Sequence, residues 1–234
     1  MNIYNIADLN IGLECQSRTM QRAEKYLVPD FEGSVDFVIK TSAEEIESIH
    51  KPEWADEIKA YIYEGKLFYE KLIKYYNGMM IHSSAVVVDG KAYLFSAPSG
   101  TGKSTHTAFW LKKFGDRAYI LNDDKPAVRV IGNEVFAYGT PWSGKNDISV
   151  NKKAAVQAIC FLRRDDNNWI NPMPEPEKVV NMYHSSIRKV GKEVASKILD
   201  VIALIIERVP IYQLGCTPTM DAAELSYKIM SRGL

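Results

Sequence analysis

The residues whose types and spacing suit chemistry lie close together near the middle of the chain. Residues 97–104 read APSGTGKS, which fits the phosphate-binding loop pattern except that alanine replaces the first glycine. Small residues let successive backbone N–H groups surround a phosphate, and the N-terminus of a following helix favours the anion. Lys103 would reach the β- and γ-phosphates of a nucleotide, and the Ser104 hydroxyl would sit on a magnesium ion.

This loop predicts a nucleotide site. The expected contacts are Ser99, Gly100, Thr101, Gly102, Lys103, Ser104 and Thr105. The alternative is a glycine-rich turn that happens to precede a helix. The motif favours the nucleotide site, because the glycines, the lysine and the serine are all in register after a predicted strand.

Two adjacent acids, Asp123 and Asp124, end a predicted strand over residues 117–122. This strand follows the loop after a single helix, so we expect it to be the direct neighbour of the loop strand. One carboxylate could then hold magnesium while the other accepts a proton from an attacking hydroxyl. The alternative is a solvated strand end before a turn at residues 125–126.

Other residues nearby each allow two interpretations. His82 is expected on the strand that pairs with the loop strand, where it faces the phosphates or is a core histidine. Residues 139–145, GTPWSGK, suit either a substrate grip or a plain turn with a packed tryptophan. Arg163 and Arg164 could stabilise a transferring phosphoryl group or be solvated. His106 is expected to be structural or near the nucleotide, without a catalytic role.

The hydrophobic pattern predicts the elements that position these residues. Two β-hairpins are expected, one joining residues 79–88 and 92–95 across Asp89-Gly90 and one joining 128–131 and 135–138. Further strands are expected near residues 35–39, 155–162 and 211–214, and helices over 54–76, 103–114, 177–207 and 219–230. Residues 165–176 contain three prolines and are expected to form a loop, which could act as a lid.

Composition narrows the class of protein. Among the 234 residues, 29 Lys and Arg balance 29 Asp and Glu, so no global field attracts nucleic acid or an anionic membrane, and neither is expected as a partner. Cys15, Cys160 and Cys216 lie far apart, which favours a reducing cytoplasm over a disulfide framework or a zinc site. The N-terminus does not read as a signal peptide, and the longest apolar run, 201–206, is far shorter than a membrane span.

Three segments together resemble the catalytic domain of HPr kinase/phosphorylase and its smaller relatives. They are residues 81–85 (IHSSA), 97–104 (APSGTGKS) and 122–124 (NDD). That family looks like phosphoenolpyruvate carboxykinase in fold. The resemblance implies an α/β fold, with a P-loop nucleotide-binding domain built on a mixed sheet at residues 79–234. Residues 1–78 would form a small N-terminal α+β extension.

The resemblance also implies cofactors and roles. ATP and Mg²⁺ are the implied cofactors, and a homo-oligomer is implied on the same ground alone. Asp123 is implied as the base for a substrate hydroxyl, with His82 supporting it. Lys103 is also expected to be catalytic, on the loop pattern itself, because its cation serves both the bound phosphates and the transition state. Asp124 and Ser104 are implied as the magnesium ligands.

The acceptor is left open. The sequence lacks the long N-terminal domain of the true HPr kinases and their glycine-rich signature after the Asp-Asp strand. The acceptor hydroxyl could therefore belong to a serine of a protein or peptide, or to a small molecule. The rival hypothesis is a nucleotide-binding accessory or regulatory protein without phosphoryl transfer, in which residues 1–78 serve as a docking module. A GTPase is disfavoured, because residues 151–154 lack the acid that a guanine-reading motif needs.

Overall fold

A computed structural model describes residues 1–186 and 190–232. The strands are β1 (Ile3–Ile6), β2 (Leu9–Glu14), β3 (Leu27–Val28), β4 (Phe37–Lys40), β5 (Gly78–Met80), β6 (Ser83–Val88), β7 (Lys91–Ser96), β8 (Ala118–Asp124), β9 (Ala127–Ile131), β10 (Glu134–Tyr138), β11 (Lys153–Arg164), β12 (Trp169–Pro172) and β13 (Ile211–Cys216). The helices are α1 (Ser17–Ala23), α2 (Ala43–Glu47), α3 (Asp56–Tyr75), α4 (Lys103–Phe114), α5 (Glu175–His184), α6 (Lys192–Ile206) and α7 (Met220–Met230). The expected α/β class is confirmed.

The large sheet is mixed, and β11 is its centre. Strand β11 runs parallel to β7 on one side and to β13 on the other, while β6 is antiparallel to both β7 and β8. Strands β7, β8, β11 and β13 therefore all point the same way. Their carboxyl ends meet at one edge of the sheet, which we call the carboxyl edge.

The two expected hairpins are confirmed. Strands β6 and β7 pair across Asp89 and Gly90, whose positive φ values of 49° and 79° suit a tight two-residue turn. Strands β9 and β10 pair across a turn that contains Gly132. The predicted helix over residues 103–114 is confirmed as α4, directly after the loop.

The expected strand order is wrong at one position. Strand β8 pairs with β6 and not with the loop strand β7, so β6 lies between them. The tight hairpin places β6 against β7 on that side, which leaves the outer edge of β6 for β8. The acids at the end of β8 are thus one strand farther from the loop strand than expected.

His82 was also expected within a strand, and this is wrong. The apolar run over residues 79–88 is divided, since β5 pairs with β9 and β6 pairs with β7 and β8. At the break, the backbone N–H of His82 donates to the carbonyl oxygen of Ser185 at 2.7 Å instead of to a strand. His82 therefore lies immediately before β6, at the carboxyl edge.

The expectation of a loop over residues 165–176 is wrong in its second half. Residues 169–172 form β12, which pairs antiparallel with β13 at the border of the sheet, and α5 begins at Glu175. Proline is tolerated in an edge strand, so Pro172 does not prevent pairing. The helix expected over 177–207 is found as α5 and α6, and residues 187–189 between them lie outside the described residues.

The N-terminal part forms a second sheet, in the order β3-β1-β2-β4, and its strand content agrees with the pattern of residues 1–50. Buried side chains from both sides of residue 78, among them Ile6, Phe68, Leu72 and Met79, belong to one hydrophobic cluster. A smaller cluster around Phe95 and Trp110 lies under α4 and α7. The proposed division at residue 78 stays a prediction. None of the described helices is long and apolar enough to cross a membrane.

Candidate functional site

The carboxyl edge carries a cleft of about 430 Å³ that gathers most of the predicted residues. The predicted residues in its lining are His82, Ser99, Gly100, Gly102, Lys103, Ser104, Thr105, Asp123 and Asp124. Thr101 lines an adjoining cavity instead. The lining also includes Gly144, Lys145 and Asn146, which belong to or follow the GTPWSGK segment. The sequence predicts a place in the site for this segment as only one of two interpretations, the other being a plain turn.

The loop between β7 and α4 has the conformation that its glycines permit. Gly100 and Gly102 have φ values of 78° and 119°, a region that side-chain-bearing residues rarely adopt. A Cβ atom at either position would meet no atom within 4 Å, so the space beside both glycines is open. The helix dipole and the free N–H groups at the start of α4 therefore face a region that a phosphate could occupy.

Two cations hold the carbonyl groups of this loop. The ammonium of Lys103 donates to the carbonyl oxygen of Ala97 at 2.8 Å, and the guanidinium of Arg164 donates to that of Gly100 at 2.6 Å. Burial lowers the pKa of Lys103, while Asp124 and Asp123 act in the opposite direction. Of the two arginines, Arg164 thus reaches the loop. Arg163 instead lies over the ring of Trp169, with its guanidinium carbon 4.4 Å from the ring centroid.

The two acids have different partners. The hydroxyl of Ser104 donates to both carboxylate oxygens of Asp123, at 3.1 and 3.0 Å. Asp124 lies between His82, whose Nε2 is 3.4 Å from Oδ1, and the ammonium of Lys125, which pairs with Oδ2. Burial lowers the pKa of His82, and the charge of Lys103 adds to this effect. Asp124 and Asp123 act in the opposite direction on the pKa of His82, and the net shift is downward.

The oxygens of Asp123 and Ser104 suit a magnesium ion whose other ligands are phosphate oxygens. Carboxylate and hydroxyl oxygens are the ligands that Mg²⁺ prefers, and Asp123 and Ser104 present them side by side. Among the described residues, no group of three or more His, Cys, Asp or Glu side chains could hold a metal by itself. Mg²⁺ is usually bound through one or two carboxylates plus substrate phosphates, so this sparse protein set fits the ion.

A buried asparagine fixes the end of β8. The side-chain amide of Asn122 donates to the carbonyl oxygen of Thr140 at 3.0 Å, and its oxygen accepts from the backbone N–H of Lys125 at 2.9 Å. Asn122 is fully buried, so loss of these bonds would leave unpaired polar groups in the interior. Asn122 thereby orients the two acids that follow it.

The GTPWSGK segment combines both interpretations considered for it. Trp142 is buried and stacks on Phe68, with the two ring centroids 4.9 Å apart. Its Nε1 donates to the carbonyl oxygen of Tyr61. Gly144, in contrast, lies directly against the acids, because a Cβ there would be 2.9 Å from Cβ of Asp124. The tryptophan is structural, and the glycine belongs to the wall of the cleft.

Sequence reasoning missed Arg22 entirely. This side chain of α1 is only 7% exposed, and its Nη1 donates to the carbonyl oxygen of Gly144 at 2.6 Å and to the hydroxyl of Tyr61 at 2.7 Å. No pattern in the sequence connects residue 22 with residue 144. His106 lies 3.0 Å through its Nε2 from the hydroxyl of Ser226, and it also lines the cavity that adjoins the loop.

Comparison with known proteins places the chain in a family. Residues 66–220 match the family model described as "ScmC: SynChlorMet cassette protein ScmC". The chain belongs to the ScmC family. The matched part of this ScmC-family chain is more than half of its length and includes the loop, both acids and the GTPWSGK segment.

For the ScmC-family chain, the other comparisons give no curated relative and a distant structural similarity. Among curated proteins, none matches it in sequence. The solved structure of the Hpr(Ser) kinase/phosphatase from Coxiella burnetii is similar to it with a TM-score of 0.37 and 12% identity, over 66% of this chain and 89% of that chain. A similarity of this size carries no argument about function.

Proposed function

We propose that the protein is a kinase that uses ATP and Mg²⁺ to transfer the γ-phosphoryl group to a hydroxyl of a protein, a peptide or a small molecule. The observation that carries the proposal is the contact of Ser104, at the start of α4, with Asp123, in a cleft that also holds Asp124 and His82. The large sheet with its loop and α4 would then be a P-loop domain of the type found in HPr kinase and phosphoenolpyruvate carboxykinase.

Each part of the cleft has a task in this proposal. The N–H groups of the loop and the ammonium of Lys103 bind the phosphates of ATP. Ser104 and one acid hold Mg²⁺, which when bound neutralises charge on the phosphates. The other acid takes the proton of the acceptor hydroxyl, while the acceptor oxygen bonds to the γ-phosphorus. The bond from that phosphorus to the β–γ bridging oxygen breaks, and ADP leaves.

The contacts favour one division of labour between the acids. The family resemblance implies Asp123 as the base and Asp124 as the magnesium ligand. Ser104, however, bonds to Asp123, and Nε2 of His82 lies 3.4 Å from Asp124. We therefore propose Asp123 with Ser104 for the metal and Asp124 with His82 for the proton. The two assignments predict different variant behaviour, described in the Discussion.

Thermal denaturation with Mg²⁺ and ATP, ADP or GTP tests the nucleotide site. Nucleotide bound to the folded state raises the melting temperature. Lys103→Ala should reduce this rise, because its ammonium serves the phosphates. Lys113→Ala is the matched control, since Lys113 lies on the same helix and pairs with Glu224 at 2.8 Å, away from the loop.

Mass analysis of ATP incubations with serine peptides, free serine, sugars and polyols then tests transfer. A phosphorylated product that Lys103→Ala fails to make would support the kinase and define its acceptor class. Stabilisation by nucleotide without a product from any acceptor would favour the accessory role instead. No stabilisation by any nucleotide would contradict the nucleotide site itself.

A further inference from the structure

A second and larger cavity of about 730 Å³ adjoins the loop on the side away from the acids. Thr101, Gly102 and Thr105 form its near wall. Arg164, at the end of β11, and Cys216, at the end of β13, lie farther out. The volume falls within the roughly 300–1,000 Å³ that small-molecule sites usually have.

A third cavity of about 260 Å³ borders Asp124. His82, Asp124 and Lys125 line it, and no residue of the loop does. The large cavity shows the reverse pattern, because loop residues line it and neither acid does. The two cavities thus share no lining residue.

Covalent connectivity decides which ligand takes which cavity. A nucleotide is continuous from its phosphates to its base, so its nucleoside must leave the loop through a space that the loop itself lines. Of the three cavities, only the large one is lined by the loop without also being lined by Asp123 or Asp124. The acceptor hydroxyl must instead reach Asp124, and the small cavity leads there.

We propose that the large cavity binds the nucleoside of the phosphoryl donor and that the small cavity admits the acceptor hydroxyl. This inference rests on the proposed kinase function and extends it. The donor is then a nucleoside triphosphate and not an inorganic polyphosphate, which would leave the large cavity unused. The small cavity holds only the hydroxyl-bearing end of an acceptor.

The large cavity offers an acceptor group for ribose hydroxyls. The carboxylate of Asp166 lines it, and that side chain makes no hydrogen bond in the described part of the chain. The neighbouring carboxylate of Asp165, in contrast, already accepts from the indole N–H of Trp169 at 2.9 Å. Asp166 is thus the side chain whose change should affect the nucleoside and not the phosphates.

Cysteine alkylation tests the location of the nucleoside. Cys216 is half-buried in the large cavity, Cys15 is half-buried in the N-terminal part, and Cys160 is fully buried. The protein with Mg²⁺ is treated with iodoacetamide alone, with ATP, or with inorganic triphosphate, and alkylation of each cysteine is followed by mass spectrometry. One pH is used throughout, because burial raises the pKa of the Cys216 thiol.

We expect saturating ATP to slow alkylation of Cys216 about tenfold or more, and that of Cys15 not at all. Triphosphate should raise the melting temperature but leave Cys216 reactive. Equal protection by triphosphate, or a melting-temperature rise with ATP that leaves Cys216 unprotected, would overturn this inference while the loop site stands. If neither ATP nor triphosphate raises the melting temperature, both the proposed function and this inference are contradicted.

Asp166→Ala provides a second test with a different readout. It should weaken ATP binding by about tenfold, the effect of losing one hydrogen bond to a charged group. Binding of inorganic triphosphate should be unchanged. The matched control is Asp116→Ala, an exposed acid two residues after the end of α4. Equal loss of ATP and triphosphate affinity in Asp166→Ala would contradict the assignment.

Discussion

The guanidinium of Arg22 donates a 2.6 Å hydrogen bond to the carbonyl oxygen of Gly144, which lies 122 positions later in the chain. Gly144 in turn lies against the backbone of Asp123 and the side chain of Asp124. The N-terminal helix α1 therefore reaches the acids of the candidate site through a single intervening residue. Arg22 touches neither acid in this chain of contacts, so we regard it as a positioning residue.

Arg22→Ala should lower the turnover number for phosphoryl transfer about tenfold with little change in ATP affinity. The variant leaves the Gly144 carbonyl without its partner, which should cost about 1–3 kcal/mol of unfolding free energy. Arg22→Lys should restore part of both losses. Steady-state kinetics and urea denaturation measure the two effects.

The control for this prediction is Arg117→Ala, which removes an exposed guanidinium that pairs with Asp89 at the opposite edge of the sheet. It should leave turnover unchanged. If Arg22→Ala loses activity only in proportion to its unfolded fraction, Arg22 is structural and does not position the site.

Gly144→Ala should disturb the acids, and Gly132→Ala separates this effect from backbone strain. Both glycines have positive φ, 75° and 61°, so alanine costs about 1 kcal/mol at either. Only at Gly144 would the new Cβ meet close neighbours, 2.9 Å from Cβ of Asp124 and 3.0 Å from the carbonyl oxygen of Asp123. We expect transfer to fall at least tenfold in Gly144→Ala alone, measured by initial rates. Equal activity in the two variants would mean that the acids tolerate the displacement.

Asparagine variants of the two acids distinguish their roles. With Asp123 on the metal, Asp123→Asn should raise the Mg²⁺ concentration needed for half-maximal nucleotide binding. Asp124→Asn should abolish transfer and leave nucleotide binding nearly intact, because only the proton acceptor is lost. Magnesium titrations and single-turnover assays measure both quantities. The reverse pattern would support the assignment that the family resemblance implies.

His106 should make the stability depend on pH. Burial lowers its pKa from 6.5 to about 4, so between these values the unfolded state binds a proton that the native state does not. The free energy of unfolding therefore decreases as the pH falls from 6.5 to 4, by on the order of 3 kcal/mol, and this contribution is complete above 6.5. His106→Gln should flatten that slope in denaturation curves measured across the window. His50→Gln, at an exposed position, should keep it.

Local patterns predict the local parts of this structure. The Asp89-Gly90 turn, the helix after Gly102 and the helix ending near Tyr76 follow from turn chemistry and 3.6-residue periodicity, and all are found. The residues of the loop and the acid pair are brought into one cleft because their strands end at the same edge. The turn and the helices depend on neighbours within about a dozen residues, whereas Ser104 and Asp123 meet across 19 positions.

Long-range relationships could not be predicted in the same way. Nothing local distinguishes β8 beside β6 from β8 beside β7, because both arrangements satisfy the apolar pattern of the strand. The break at His82 depends on a hydrogen bond to Ser185, more than a hundred positions away. Arg22 in α1 looks like any surface arginine until Gly144 and Tyr61 are placed around it. Tertiary contacts determine each of these.

The central position of β11 has a consequence for amide hydrogen exchange. Its residues Ile159, Cys160 and Phe161 have paired neighbours on both sides, in β7 and in β13. Each amide of this segment donates to only one of the two neighbours, and successive amides point to opposite sides. Since neither β7 nor β13 is a border strand, protection of these amides should approach that of global unfolding, while the border strand β12 exchanges through local opening. Arg164, which holds the loop at Gly100, is thus anchored to the segment that opens last.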